Sequence, residues 1–398
     1  MSQRDIHLLE KAFFEAARAT WLWTAPNPRV GALALSGGHI IGHGYHAAFG
    51  AAHAEEAALR DAGAWDVQTN RALPGIVDEI VVSLEPCSAT GKKRAPCTQS
   101  LLDAKVRRVL VGAVDPDPRH AGAGLELLRA AGVQVDQPDP EGCAQRFAAQ
   151  NPAFLGALAR PSRPWVLLKW AASLDGKLAA DDGTSEWISG VESRAEVHQL
   201  RAVSDAVLAG AGTLRSDNPS LTARPEEAPP GLRSEPALRQ PKRILLGGAS
   251  EVPADARIFG EGGRRIWVLA PDQDVAAPIL AQGDALLCVP QQASRLDLQK
   301  ALESLASEHQ IRRLFVEGGA QVHGALLAAG LADAVVRYEA PILLGGARAA
   351  CDAPSFASPA AAPRLHAEER ADLGVDLRRA FLLHSSGDPE STQPRAGE

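Results

Sequence analysis

Three short segments constrain this chain more than anything else in it: His53-Ala54-Glu55, Glu85-Pro86-Cys87, and Cys97. Together they offer one imidazole and two thiols, a set suited to zinc, which prefers nitrogen and sulfur ligands in a tetrahedron. Three protein ligands leave a fourth position for water, whose pKa the metal brings toward neutrality. Glu55, two residues after the histidine, is then a carboxylate placed to move protons. Any fold that uses this set must bring the three segments to one point.

The local pattern supports that convergence. Asp5 to Trp21 reads as an amphipathic helix through Leu8, Leu9, Ala12, Phe13, Ala16 and Ala17. Val30 to Leu35 and His39 to Gly42 flank Gly37-Gly38, which predicts two strands joined by a tight turn. His53 to Ala62 is predicted helical, Glu79 to Leu84 a strand, Cys97 to Ala104 a helix, and Val109 to Ala113 a strand. His53 and Glu55 then stand at one helix start, and the cysteines at the next strand-to-helix connection, a sound place for a metal centre. H-x-E followed by P-C-x-x-C is the pattern of zinc deaminases. Here nine residues separate Cys87 from Cys97, so that short pattern is matched in part. A closed structural zinc site would need a fourth protein ligand, for which Cys143 is the candidate, and would leave Glu55 without a role.

Two further features stand near this set. Asn27 lies in Pro26-Asn27-Pro28. The flanking prolines fix its backbone, either for a structural turn or to aim the amide at a pyrimidine edge. Gly91-Lys92-Lys93-Arg94 lies between the cysteines as a solvated charge run or a phosphate contact.

After Asp136 the texture changes. Prolines 138, 140, 152, 161 and 164 bracket a predicted helix from Cys143 to Leu158. The reading gives a first domain over 1–150, a second over 160–385, and a disordered tail over 386–398. In the second domain the predicted strands are Trp165–Trp170, Asp205–Gly210, Arg243–Leu246, Arg265–Leu269, Arg313–Val316, Val335–Tyr338 and Arg378–Leu383. Ser193 to Val203 reads as a helix, and 218–241 as a long loop. Val316-Glu317-Gly318-Gly319-Ala320 is a strand end, two glycines and a helix start, which serves a tight turn or a phosphate equally well. No G-x-G-x-x-G is present, against an ordinary Rossmann dinucleotide site.

Composition narrows the class. At 398 residues and 45% hydrophobic content the chain has room for two cores. A net charge of −7 argues against broad capture of nucleic acid. Five scattered cysteines do not form a secreted disulfide framework. No leader-like stretch and no bilayer-length apolar run is read, so the expectation is a cytoplasmic protein with neither membrane nor nucleic-acid partner.

These residues together resemble the bifunctional riboflavin-biosynthesis family, a pyrimidine deaminase fused to a 5-amino-6-(5-phosphoribosylamino)uracil reductase. The resemblance covers about residues 5 to 385. In the first half it rests on Pro26-Asn27-Pro28, Val30-Gly31, Gly44-Tyr45-His46, His53-Ala54-Glu55, Glu85-Pro86-Cys87-Ser88 with Cys97, Asp115-Pro116-Asp117-Pro118 and Gly122-Ala123-Gly124. In the second half it rests on Lys169, Ala172-Ser173-Leu174-Asp175-Gly176-Lys177, Trp187-Ile188, Leu200-Arg201, Asp217-Asn218-Pro219, Leu221-Thr222, Val316-Glu317-Gly318-Gly319 and Pro341.

The resemblance implies an α/β protein with an N-terminal cytidine-deaminase-like αβα domain and a C-terminal dihydrofolate-reductase-like α/β domain. It implies zinc on His53, Cys87 and Cys97, with Glu55 as proton carrier. The implied substrate is a phosphorylated pyrimidine, a diaminopyrimidinone bearing a ribosylamino 5-phosphate, which loses ammonia. NADPH then reduces the opened ribose to a ribityl chain. Positions matching the family's cofactor contacts are Ala171, Trp187, Thr213, Asp217, Gly319, Ala320, Gln321, Val322, His323, Gly324 and Ala325. Those matching substrate contacts are Asn27, Ser185, Arg201, Leu221, Arg224 and Glu317. Lys169 and Glu317 match the reduction step. Read without the family, Arg201 and Arg224 are either surface arginines or a bidentate phosphate clamp. The resemblance also implies a homo-oligomer.

The chain departs from the family at Ala89-Thr90, where one or two histidines are usual, and the loop between the cysteines is one residue longer. Ala171 stands where glycine is common. Three other readings are a reductase with an impaired deaminase half, a nucleic-acid-editing zinc deaminase, which the acidic balance disfavours, and a non-enzymatic zinc scaffold, against which Glu55 speaks.

Overall fold

A computed structural model describes residues 2–89, 95–184, 188–224, 240–248, 252–281, 283–292, 295–352, 356–362 and 364–383. The Lys92–Arg94 run, most of the 218–241 loop and the tail lie outside the described residues. The chain divides into two units between Ala159 and Arg160.

In the first unit, β1 (Gly31–Ser36) and β2 (His39–Tyr45) form a hairpin, and β3 (Trp65–Asp66) pairs with β4 (Arg71–Ala72) as a small ribbon. β5 (Glu79–Leu84), β6 (Arg108–Ala113) and β7 (Gln134–Asp136) complete a sheet of order β2-β1-β5-β6-β7. β1 is antiparallel to both neighbours, and β5, β6 and β7 are parallel.

Side chains alternate across a strand, so each face of this sheet has its own core. Ala32, Ala34, Ile80, Val82, Val109 and Val111 pack on Ala58 and Leu59 of the helix Ala54–Asp61, Leu101 of the helix Cys97–Asp103, and Leu125 and Leu128 of the helix Ala123–Ala130. Leu33, Leu35, Val81 and Leu110 face the other way, onto Leu8, Leu9, Ala12 and Phe13 of the helix Gln3–Ala17 and onto Cys143 and Phe147 of the helix Pro140–Gln150. A one-residue slip in register would exchange the two cores. The result is an αβα layering with both ligand-bearing helices on one face.

Two predicted helices are broken. The first stops at Ala17, and Trp21–Thr24 forms a separate turn after Thr20, which is extended at φ −114°, ψ 149°. The second is split into Pro140–Gln150 and Pro152–Leu158. Proline cannot donate a backbone bond and disfavours helical geometry in the residue before it, here Asn151. The Asn151 side chain uses the break: Oδ1 accepts from Arg29 N at 2.6 Å and Nδ2 donates to Phe147 O at 3.1 Å.

The second unit contains β8 (Trp165–Ser173), β9 (Ala206–Gly210), β10 (Lys242–Leu246), β11 (Arg265–Leu269), β12 (Ala285–Cys288), the ribbon β13 (Gln291–Gln292) with β14 (Arg295–Leu296), β15 (Arg313–Val316), β16 (Ala334–Ala340), β17 (Leu365–Leu373) and β18 (Asp376–Leu383). Nine of these make one sheet, ordered β12-β11-β10-β9-β15-β8-β16-β18-β17. The seven from β12 to β16 run parallel, and β18 and β17 close the edge antiparallel. β9 and β15 are buried along their whole length, as strands covered on both faces must be. In such a sheet the crevice beyond the carboxyl ends of the strands is where ligands bind. β8 and β15 are neighbours; Glu317 directly follows the end of β15, and Lys169 lies on β8 just past Leu168, the last residue that β15 pairs with. Among the described residues no helix is long and apolar enough to cross a membrane.

Candidate active sites

His53 is the residue that opens the helix Ala54–Asp61, still extended at φ −73°, ψ 162°. Cys97 is the first residue of the helix Cys97–Asp103, and Cys87 lies just beyond β5. His53 Nδ1 stands 3.1 Å from Cys97 Sγ and 3.6 Å from Cys87 Sγ, and all three ligand atoms lie within 4.8 Å of one another. A tetrahedral zinc site places such ligands roughly 3.5–3.8 Å apart, so this donor set fits the ion with shifts of a few tenths of an ångström. Cys143 is not a fourth ligand: it packs on the opposite face of the sheet, and burial pushes its thiol up to about 11.

The helix that carries His53 and Glu55 is set by contact with β2. A Cβ on Gly44 would lie 2.3 Å from Ala54 O, and one on Gly42 2.4 Å from Ala58 O. Only glycine lets the strand lie that close.

Glu55 is 3% exposed. Burial pushes its carboxyl up to about 7, against the pull of the neighbouring His53 charge. Cys97 shares its proton with Cys87, and with His53 nearby this takes the Cys87 thiol down to about 3. The same sharing, with burial, pushes Cys97 well up. Metal ions bind thiolates rather than thiols, so a cation entering here would displace the proton that the two sulfurs otherwise share.

Two residues that the sequence motifs contain, but for which sequence reasoning gave no role, complete this centre. The Glu85 carboxylate accepts from Asp115 N, Gly122 N and Gly124 N at 3.2, 2.9 and 2.8 Å, so it seats the 115–124 loop on the segment that leads to Cys87. His46 is buried, 3.2 Å from Asn27, with its ring edge-on to His53 at 5.5 Å between centroids.

In the second unit Lys169, Arg201 and Glu317 come together. Arg201 donates through Nε and Nη2 to the two Glu317 oxygens, the latter at 3.0 Å, and through Nη1 to Thr222 O at 2.8 Å. Lys169 Nζ is 3.9 Å from Glu317 Oε2. Burial would push the Glu317 carboxyl up, but Arg201 and then Lys169 outweigh it, and the net shift is downward. Burial lowers Lys169, with the Glu317 charge pulling the other way. The paired Nε–Nη2 edge of Arg201 is taken by Glu317, so the bidentate phosphate clamp open to this residue from sequence is replaced by a carboxylate clamp. Arg224 is exposed, and the Leu221 side chain is buried.

The helix Ala320–Ala328 begins where β15 ends, with Gly319 as its extended cap residue. Gly318 is a packing glycine, since a Cβ there would lie 2.7 Å from Val322 Cβ. Gly319 faces open space, and a Cβ on it would meet only Thr213 Oγ1 at 3.6 Å. That leaves room for a phosphate at the first, unsatisfied N–H groups of the helix. This cradle suits the pyrophosphate of a nicotinamide dinucleotide. Gln321 is exposed, Ala320 and Ala325 half-buried, but His323 and Gly324 turn inward. His323 lies against Trp170 with ring centroids 5.4 Å apart, and burial takes its imidazole down to about 4. A Cβ on Gly324 would strike Asp352 O. Asp217 ends the neighbouring helix Ala211–Asp217 and its charge reaches Lys169. Ala171 is half-buried on β8, paired with Tyr338 of β16. Ser185 and Trp187 lie outside the described residues. Asp175, another motif residue given no role from sequence, accepts from Leu344 N at 3.1 Å and Gly345 N at 2.7 Å, holding the turn after β8 to the loop after β16.

Comparison with known proteins matches each unit to a family. Residues 2–113 match the cytidine and deoxycytidylate deaminase zinc-binding region, and residues 164–377 match the RibD C-terminal domain. The riboflavin biosynthesis protein RibD of Escherichia coli is 35% identical over 94% of this chain and 98% of its own. That of Bacillus amyloliquefaciens is 34% identical over 92% of each. Acinetobacter baumannii RibD superposes with a TM-score of 0.70 at 30% identity, covering 96% of this chain and 99% of that one. The Thermotoga maritima diaminohydroxyphosphoribosylaminopyrimidine deaminase/5-amino-6-(5-phosphoribosylamino)uracil reductase gives 0.65 at 28% identity over the same shares. With a zinc-type deaminase centre in one unit and an NADPH-type reductase domain in the other, the chain belongs to the RibD family of bifunctional riboflavin-biosynthesis enzymes.

Proposed function

We propose that the first unit deaminates 2,5-diamino-6-(5-phosphoribosylamino)pyrimidin-4(3H)-one and the second reduces the resulting 5-amino-6-(5-phosphoribosylamino)uracil with NADPH. The observation that carries the reading is the meeting of His53 Nδ1, Cys87 Sγ and Cys97 Sγ beside the buried Glu55. His53, Cys87 and Cys97 would hold zinc, which would supply a water of lowered pKa. Glu55 takes a proton from the attacking water and delivers it to the departing amino group; water enters and ammonia leaves. Glu55 is buried beside the three ligand atoms, a place from which one carboxyl can both take and return a proton. Asn27 holds the pyrimidine.

In the second unit Lys169 gives a proton to the ribose ring oxygen as the sugar opens, and Glu317 holds the ammonium in place. Arg201 positions Glu317. Thr213, Gly319, Ala320 and Gln321 would line the dinucleotide phosphates of NADPH, which would supply the hydride. The described cysteines are all free thiols, which supports a reducing, cytoplasmic setting for the enzyme, and we take it to work as a homo-oligomer without nucleic acid.

The test is to follow ammonia release and NADPH oxidation separately on purified, zinc-loaded protein given the diaminopyrimidinone. The proposal expects ammonia first, then one NADPH consumed for each ammonia. NADPH consumption only on supplied uracil intermediate would remove the deaminase half.

A further inference from the structure

We infer that His46 is a positioning residue of the deaminase site, whose ring tautomer turns the Asn27 amide so that its oxygen, an acceptor, faces the pyrimidine. The inference rests on the reading above that Asn27 contacts the substrate, and specifies which of its two polar atoms does so.

Three hydrogen-bonding groups form a chain here: the Ala52 carbonyl, the His46 ring and the Asn27 amide. His46 Nδ1 lies 2.9 Å from the Ala52 carbonyl oxygen. A carbonyl oxygen only accepts, so Nδ1 carries the hydrogen. An imidazole with one proton then has a lone pair at Nε2, and that atom lies 3.2 Å from Asn27 Nδ2. A lone pair only accepts, so the Asn27 atom facing it is the NH2 group. Oδ1 is left at the other end of the amide, with no partner among the described residues.

The backbone holds both ends of this relay. Asn27 N donates to Thr24 O at 2.8 Å, and His46 N donates to Val30 O at 2.9 Å. Ala52 immediately precedes His53, so the carbonyl that sets the tautomer belongs to the segment that presents a metal ligand. The His46 ring also stands edge-on to His53. The relay therefore fixes the amide relative to the metal-binding helix start. An acceptor at that place favours a ring N–H or an exocyclic amino group and disfavours a carbonyl, because two oxygens would face each other without a proton.

The direct test is a long-range proton–nitrogen correlation spectrum of zinc-loaded protein labelled with nitrogen-15 histidine. The His46 signals are assigned by their loss in His46→Gln. The expected pattern is a proton on Nδ1 and a bare Nε2. A proton on Nε2 instead would reverse the Asn27 amide and overturn the inference. A kinetic test adds a readout that a purely structural role would not split. His46→Gln keeps an acceptor for Asn27, and its KM for deamination stays within about threefold of the parent. His46→Leu lacks one, and its KM rises about tenfold with zinc content unchanged, the effect of one lost hydrogen bond. Equal KM values in the two variants overturn the role. Asn27→Ala separates the two layers. An unchanged KM there sinks the reading that Asn27 touches substrate, and the role of His46 with it, even where the tautomer is as expected.

Discussion

Glu55 and Glu317 are both buried carboxylates, and their surroundings push them in opposite directions. Among the described residues no arginine or lysine pairs with Glu55, and burial takes it up to about 7. Glu317 is gripped by Arg201 and approached by Lys169, and these outweigh burial to hold it below the usual carboxylate range. Pairs of titratable groups pushed apart by their environments mark different roles. A carboxyl that must change protonation during turnover is kept away from fixed cations. One that must stay charged is clamped by them. In the first unit the proposed cation is a bound metal, and in the second the cations belong to the chain itself.

That contrast predicts where each site breaks. The largest effect is expected for Cys87→Ala. Loss of a thiolate ligand removes the metal, and ammonia release falls by more than about 10³-fold. NADPH oxidation on the supplied uracil intermediate stays within about twofold, and metal analysis of the same sample reports the lost zinc.

Next comes Arg201→Met. It leaves Glu317 buried without its bidentate partner, which costs about 3–5 kcal/mol in the second unit, measured by urea unfolding. Adding Glu317→Leu recovers most of that stability, though not reductase activity. The pair also carries a pH signature. Glu317 is lowered from 4.5, so its contribution to folding is complete above that value and fades as the pH falls through its folded pKa. Glu317→Leu with Arg201→Met removes this part of the acid sensitivity.

A smaller effect belongs to Gly44→Ala. Its Cβ would lie 2.3 Å from Ala54 O, and the helix must yield at a cost of about 1–3 kcal/mol. Deaminase activity falls with it, because that helix carries Glu55. The smallest is Asp376→Ala. Asp376, the first residue of β18, accepts from Gly190 N and Ser193 Oγ, both at 2.6 Å, and so ties down the start of the helix Val191–Ala202. Thermal unfolding should register the loss of about 1 kcal/mol.

Much of this was legible in the sequence, for identifiable reasons. Glu79–Leu84, Arg265–Leu269 and Arg313–Val316 are strands with the predicted limits, because short apolar runs bounded by polar or turn residues leave little freedom. The ligand set was legible because zinc restricts residue types so sharply. β17 was not: Leu365–Leu373 is mostly exposed, rich in charge, and without an alternating apolar face, so only its pairing with β18 makes it a strand. The helix Leu298–Ser307 was legible in principle, with Asp297 capping it through Lys300 N at 3.0 Å and Ala301, Leu302 and Leu305 buried at helical spacing. The partners of Glu85, Arg201 and His46 lie as far as 39, 116 and 19 residues away. No spacing rule brings them together; the sheet order does.

The most direct measurement is Glu55→Gln, zinc-loaded, with both steps assayed separately. The account predicts ammonia release lowered about 10³-fold, zinc content unchanged, and NADPH oxidation on the uracil intermediate at the parent rate. Ammonia release retained, or both steps lost in a folded, zinc-loaded protein, would contradict it.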